Sequence, residues 1–93
     1  MSVQTDSLFT EELTNDEFTI TSNDGVKAVS IFNSSAVDGS VTGTQKLGSR
    51  SSGALTLVEG QSITVISMEG SSVLNGVTIT APAGCTLQIE ALI

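Results

Sequence analysis

The chain has no histidine, tryptophan or tyrosine, and only one cysteine, one proline and three basic residues in 93 positions. Each shortage closes a class of function. Without histidine, the commonest general acid/base and a frequent metal ligand are missing. With Cys85 alone, no intrachain disulfide can form, and a reactive thiolate would want a histidine or basic neighbour that "CTLQIEALI" does not supply. Cys85 is therefore expected to be an inert core thiol. Lys27, Lys46 and Arg50 are too few to track a phosphate backbone, so no direct nucleic-acid binding is expected, and no binding to an anionic membrane. No apolar run approaches the ~18 residues of a membrane span. "MSVQTDSLFTEELTND" lacks the basic segment and apolar core of a secretory signal, so synthesis and folding in a cytoplasm are expected. The sequon "NSS" at Asn33 to Ser35 is then read as chance.

What is present is acidic and weakly aromatic. Ten acids give a formal charge of −7, which favours solubility, and the aromatics are three Phe. The core must therefore be Val, Ile, Leu and Ala. The adjacent carboxylates Glu11-Glu12 and Asp16-Glu17 do not face each other across a cleft as glycoside hydrolysis needs, and read as solvated charge. "NDG" at Asn23 to Gly25 begins like a calcium loop but lacks the remaining ligands, and reads as a hairpin turn. "GSRSSG" at Gly48 to Gly53 lacks the Lys-Ser/Thr ending of a phosphate loop and reads as a loop tip. No catalytic residue, cofactor site or metal site is expected.

From Glu17 onward the hydrophobic period is two. Phe18 and Ile20 alternate with Thr19 and Thr21; "VKAVSIF" follows a "SNDG" turn; "VDGSVTGT" and "ALTLV" follow in order. "LTLVEGQSITV" reads as strand, tight turn and strand. "VLNGVTITA", with Asn75-Gly76 as a bulge or turn, and "CTLQIEALI" are separated by "PAG", which is expected to reverse the chain. About seven short strands with turn signals every 8 to 12 residues or so predict an all-β fold: a single small antiparallel β-sandwich, jelly-roll-like. The predicted organisation is an acidic N-terminal arm over residues 1–16 and a β-sandwich domain over residues 17–93. In the arm, Leu8, Phe9 and Leu13 permit one loose helical turn. The alternatives are a frayed tail, or an arm docked on the domain or on a neighbour.

Two features point past a simple monomer. Ile66 and Met68, and with them Leu74 and Phe32, lie opposite the best inward positions, where a half-buried strand should be polar, so either both sheet faces are covered or these form a contact patch. The chain also runs to Leu92-Ile93 with no polar residue after the last strand, and this end is expected to be covered by a neighbouring subunit or by the chain's own N-terminal arm. The expected contact residues are Leu8, Phe9 and Leu13 in the arm, then Ile66 and Met68, then Leu92 and Ile93. Removing the first fifteen or so residues is expected to weaken attachment and leave the domain folded.

"VSIFNSSAVDGSVTGTQKLGSRSSGALTLVEGQSITVIS" followed by "LNGVTITAPAGCTLQIEAL" resembles the small all-β structural proteins of tailed-bacteriophage virions, in pattern and composition, over Thr19 to Leu92. The resemblance implies a non-enzymatic role as a capsid decoration, neck or fibre-attachment subunit. It also implies a symmetric homo-oligomer, a homotrimer being favoured, docked on other virion proteins and made in the host cytoplasm. It carries no catalytic or cofactor residues. The alternatives are a small acidic inhibitor of a host protein and a lectin-like sugar-binding module, the latter disfavoured because sugar rings usually stack on Trp or Tyr.

Overall fold

In the computed structural model the described residues are 8–43, 46–47, 50–51, 53–66 and 73–93, with backbone alone for 46–47 and 50–51. Their strands are β1 (Leu8–Ile20), β2 (Ala28–Asn33), β3 (Gly39–Thr42), β4 (Lys46–Leu47), β5 (Arg50–Ser51), β6 (Leu55–Leu57), β7 (Ser62–Ile66) and β8 (Val77–Leu92). The all-β expectation holds: β4 and β5 form a small ladder, and the other six strands make one curled antiparallel sheet.

The curl follows from β8, which is paired on both sides. Along one side lies β1, from Ile20↔Val77 to Leu8↔Leu92. On the other side β3 takes the first part (Val41↔Ile79) and β2 the second (Asn33↔Leu87 to Ala28↔Leu92). β6 extends the first limb through β3, and β7 extends the second through β2. Between the limbs the register jumps from Asp16↔Ala81 to Thr14↔Thr86, so residues 82–85 of β8 oppose Asn15 alone. Asn15 and Gly84 both adopt left-handed backbone (φ 50 and 84), and Pro82 sits in this stretch, where no ladder donor is required. "PAG" is thus a corner within one strand and not a reversal between two.

Side-chain alternation fills the space between the limbs. Val77, Ile79, Ala81, Cys85, Leu87, Ile89 and Ala91 of β8 are all buried. They meet Val29 and Ile31 of β2, Val41 of β3, Leu57 of β6 and Val65 of β7. Each fully buried Val, Leu or Ile contributes about 1.5–3 kcal/mol of hydrophobic stabilisation. Cys85 lies in this core as a free, fully buried thiol.

Turns carry the chain between the limbs. Val58–Gln61 closes a turn between β6 and β7, with Gln61 N–H donating to Val58 O at 3.0 Å and Gly60 at φ 82. "LTLVEGQSITV" is strand, turn and strand as expected, but β6 pairs with β3 and β7 with β2, so the turn joins limbs and does not close a hairpin. "SNDG" behaves similarly. Ser22–Asp24 is a 3-10 turn ending at Gly25 (φ 68), and the Asp24 carboxylate accepts the Thr21 N–H at 2.8 Å. It is not the expected hairpin, because β1 and β2 lie on opposite sides of β8. Leu8 to Asp16 is part of strand β1 and is neither a helical turn nor a tail.

One buried polar side chain secures the crossings. Asn33, the last residue of β2, is fully buried. Its Nδ2 donates to the carbonyls of Val37 (2.9 Å) and Leu57 (2.8 Å), and its Oδ1 accepts from the Ser35 N–H and hydroxyl, both at 2.8 Å. Ser35 Oγ in turn accepts the Thr86 N–H at 2.9 Å. Asn33 is thus committed to hydrogen bonds inside the fold, which removes the sequon from use in the folded chain.

Gly43 and Gly76 pack backbone against backbone where β3 ends and β8 begins. Gly43 has φ 77, and a Cβ there would collide with the Gly76 carbonyl oxygen. Gly76 cannot retreat easily, since its N–H donates to Ile20 O at 2.8 Å. Gly43→Ala should cost roughly 2–4 kcal/mol in urea unfolding, against about 0.5 or less for Gly53→Ala. A Cβ at Gly53 meets open space.

Candidate docking surface

The outer face of the sheet is mostly a polar lattice. Cross-strand partners bond through their side chains: Thr19 with Thr78 at 2.8 Å, Ser30 with Thr64 at 3.0 Å, Thr14 with Thr86 at 3.3 Å. Gln88 Nε2 donates to Glu12 Oε2 at 2.9 Å, and Thr80 Oγ1 donates to Glu17 Oε2 at 2.7 Å. Such pairs each contribute a few tenths of a kcal/mol and keep the surface hydrated.

One row departs from this pattern. Leu8 of β1 is opposite Leu92 of β8, Leu92 is opposite Ala28 of β2, and Ala28 is opposite Ile66 of β7. Four neighbouring strands thus place apolar side chains side by side across about 14 Å, at one end of the sheet. They are open to solvent: Leu8 is 62%, Ile66 57% and Leu92 36% exposed. The next row inward, Thr10, Glu90, Ser30 and Thr64, is wholly polar, and the one after it carries the exposed Phe32.

The inner face at the same end is open as well. Phe9 and Ile93 border a cleft of about 460 Å³ whose other wall is Phe18 and Ile20, from the far limb of β1. Glu11, Thr19 and Asp24 stand at this cleft among otherwise apolar walls. A hollow of about 240 Å³ runs along the outside of the same strand pair, bordered by Glu11, Glu12 and Glu90. Among the described residues no three His, Cys, Asp or Glu side chains are grouped to hold a metal ion.

The residues expected as contacts therefore divide. Leu8, Ile66 and Leu92 come together in one exposed row, although they are far apart in sequence. Phe9 and Ile93 meet at the cleft. Leu13 is only 3% exposed and belongs to the core, because the β1 register turns it inward beside Leu87. Met68 lies outside the described residues, as do residues 48, 49 and 52 of "GSRSSG" and the side chains of Arg50 and Ser51. Ala28, the member of the row that pattern reading missed, was hidden by its small size; its parity with Ile66 was the only signal. Leu74, on the stretch entering β8, is buried, with its N–H on Val26 O at 2.8 Å.

Leu13 also revises the expected effect of truncation. Removing residues 1–15 strips β1 from the Thr86–Leu92 limb of β8 and takes Leu13 from the core. Chains lacking residues 1–15 should therefore lose the cooperative urea transition. Leu13→Ala should cost about 2–5 kcal/mol, and Leu8→Ala about 0.5 kcal/mol or less.

Comparison with protein families, with curated proteins and with solved structures finds no match for this chain.

Proposed function

We propose that the chain is a non-enzymatic docking subunit, working in a tailed-bacteriophage virion as a capsid decoration, neck or fibre-attachment component. The observation that carries the docking role is the solvent-facing row of Leu8, Leu92, Ala28 and Ile66 on a mostly polar, hydrogen-bonded face. Apolar side chains gathered on a solvent face gain free energy only when another surface covers them. The virion setting rests on the sequence resemblance over Thr19 to Leu92. The two limbs laid across one core are read as a small sandwich of jelly-roll type.

Self-association is the first use of that row. Alone it is small beside the roughly 800 Å² per partner of a stable interface. Phe9 and Ile93 around the end of the sheet, and Phe32 further along it, extend the apolar surface. A ring in which each copy covers its neighbour's row would bury this rim while leaving the polar lattice wet. A trimer is the favoured form, with other virion proteins meeting the remaining surface.

Light scattering after size exclusion tests this. The expected mass is that of a trimer, and Leu8→Ser combined with Ile66→Ser should shift it to monomer with the urea midpoint nearly unchanged. A monomeric wild-type chain would overturn self-association. Isolation with phage particles in many copies would support the virion setting, and absence from particles would reject it.

A further inference from the structure

The longest unpaired edge among the described strands belongs to β1. It pairs with β8 on one side and, among the described residues, with nothing on the other. Apart from Leu13, Phe18 and Ile20, every residue of β1 is exposed. A free edge of this length presents a row of backbone donors and acceptors to an incoming chain. The 460 Å³ cleft opens beside it, between Phe9 on one limb of β1 and Phe18 on the other.

The charge of this edge selects its occupant. Glu11, Glu12, Asp16 and Glu17 place carboxylates on both faces of β1. Their cross-strand neighbours on β8 are Ile89, Gln88, Ala81 and Thr80, none of them basic. A second copy adding antiparallel through its own β1 would bring like charges together, which is destabilising. An extended segment carrying Lys or Arg would instead set opposite charges across the new ladder. The hollow bordered by Glu11, Glu12 and Glu90 has room for a cationic head group. Side chains of an added strand that share the face of Phe9 and Glu11 point over the cleft, where an apolar residue would be covered.

We propose that the Leu8 to Thr14 limb of β1 is a strand-addition site for an extended, lysine- or arginine-bearing segment of a partner protein, with an apolar side chain seated in the cleft between Phe9 and Phe18. This deepens the docking reading and rests on it, but uses the backbone edge of β1, which meets the apolar row only at Leu8. The acidic edge then serves two ends at once: it repels copies of itself and attracts a partner of opposite charge.

The test uses the full chain and a short blocked peptide in which lysine alternates with valine. The expected result is saturable binding, with hydrogen-exchange protection of amides confined to Leu8 to Thr14 and weakening as salt rises. Glutamate in place of lysine should abolish binding. A lysine peptide N-methylated along one backbone edge keeps its charge but cannot extend a ladder, and it should bind at least about tenfold more weakly. The combined E11Q, E12Q, D16N and E17Q variant should show a similar loss. Equal binding of the methylated peptide would overturn the proposal in favour of charge attraction alone. So would absence of binding to the wild-type chain, since the carboxylates would then only guard the edge. The Ile66→Ser variant, on β7 and away from the β1 edge, separates the two readings: an oligomer that persists overturns the row, whereas a monomer that still binds the peptide supports both the row and the edge.

Discussion

Everything in this fold depends on β8 being paired on both sides while bending in the middle. A strand with a neighbour along each flank cannot slide, because a one-residue slip would turn Leu87, Ile89 and Ala91 out of the core. The bend at residues 82–85 then folds the sheet over, so that one face of the same strands becomes both walls of the core. The extra residues preserve inward parity on β8, from Ala81 to Cys85. On β1 the single residue Asn15 reverses it, so Leu13 and Phe18 point the same way although one is odd and the other even. A chain with few aromatics and modest side chains encloses a core in this way without needing a thick one.

A curled sheet has to be held closed where its limbs are joined only by loops, and Asn33 does that. Burying an amide costs several kcal/mol if it is left unpaired. Here its hydrogen bonds tie three parts of the closure together: the Ser35–Val37 loop, the end of β6 and, through Ser35, the start of the second limb of β8. The backbone of Asn33 adds to this, its N–H on Gln61 O at 2.9 Å and its carbonyl accepting from Gly60 at 2.8 Å. An apolar residue at this position would fill the volume but leave the Val37 and Leu57 carbonyls without this donor. Polar satisfaction here specifies geometry more than it adds stability.

Much of the β-pattern could be read from the chain because period-two alternation reports burial directly. Cys85, Leu87, Ile89 and Ala91, and Val77 and Ile79 before them, face inward as their spacing predicts. Pairing was far less legible. "EGQ" and "SNDG" mark turns, but a turn signal does not say whether the strands it separates pair with each other or cross to different limbs. The β1 segment was obscured for a related reason. Its alternation changes phase at Asn15 and carries Glu11 at an inward position, so neither period fits the whole stretch. Leu8, Ile66 and Leu92 were legible as misplaced apolar residues, but their convergence was not, since it depends on three separate registers.

The same chain end carries surfaces of opposite character, and that contrast bears on function more than either surface alone. An apolar row is indiscriminate: area buried there gains free energy whatever covers it. An unpaired strand edge is indiscriminate too, since any backbone can extend a ladder. In the proposed reading, carboxylates along that edge disfavour another copy of the chain and leave the apolar row as the surface through which copies meet. A domain that offers its neighbours one contact built on burial and another built on charge can join like to like and like to unlike at once. Those are the two contacts that the proposed role, a ring of copies fastened to another protein, would require.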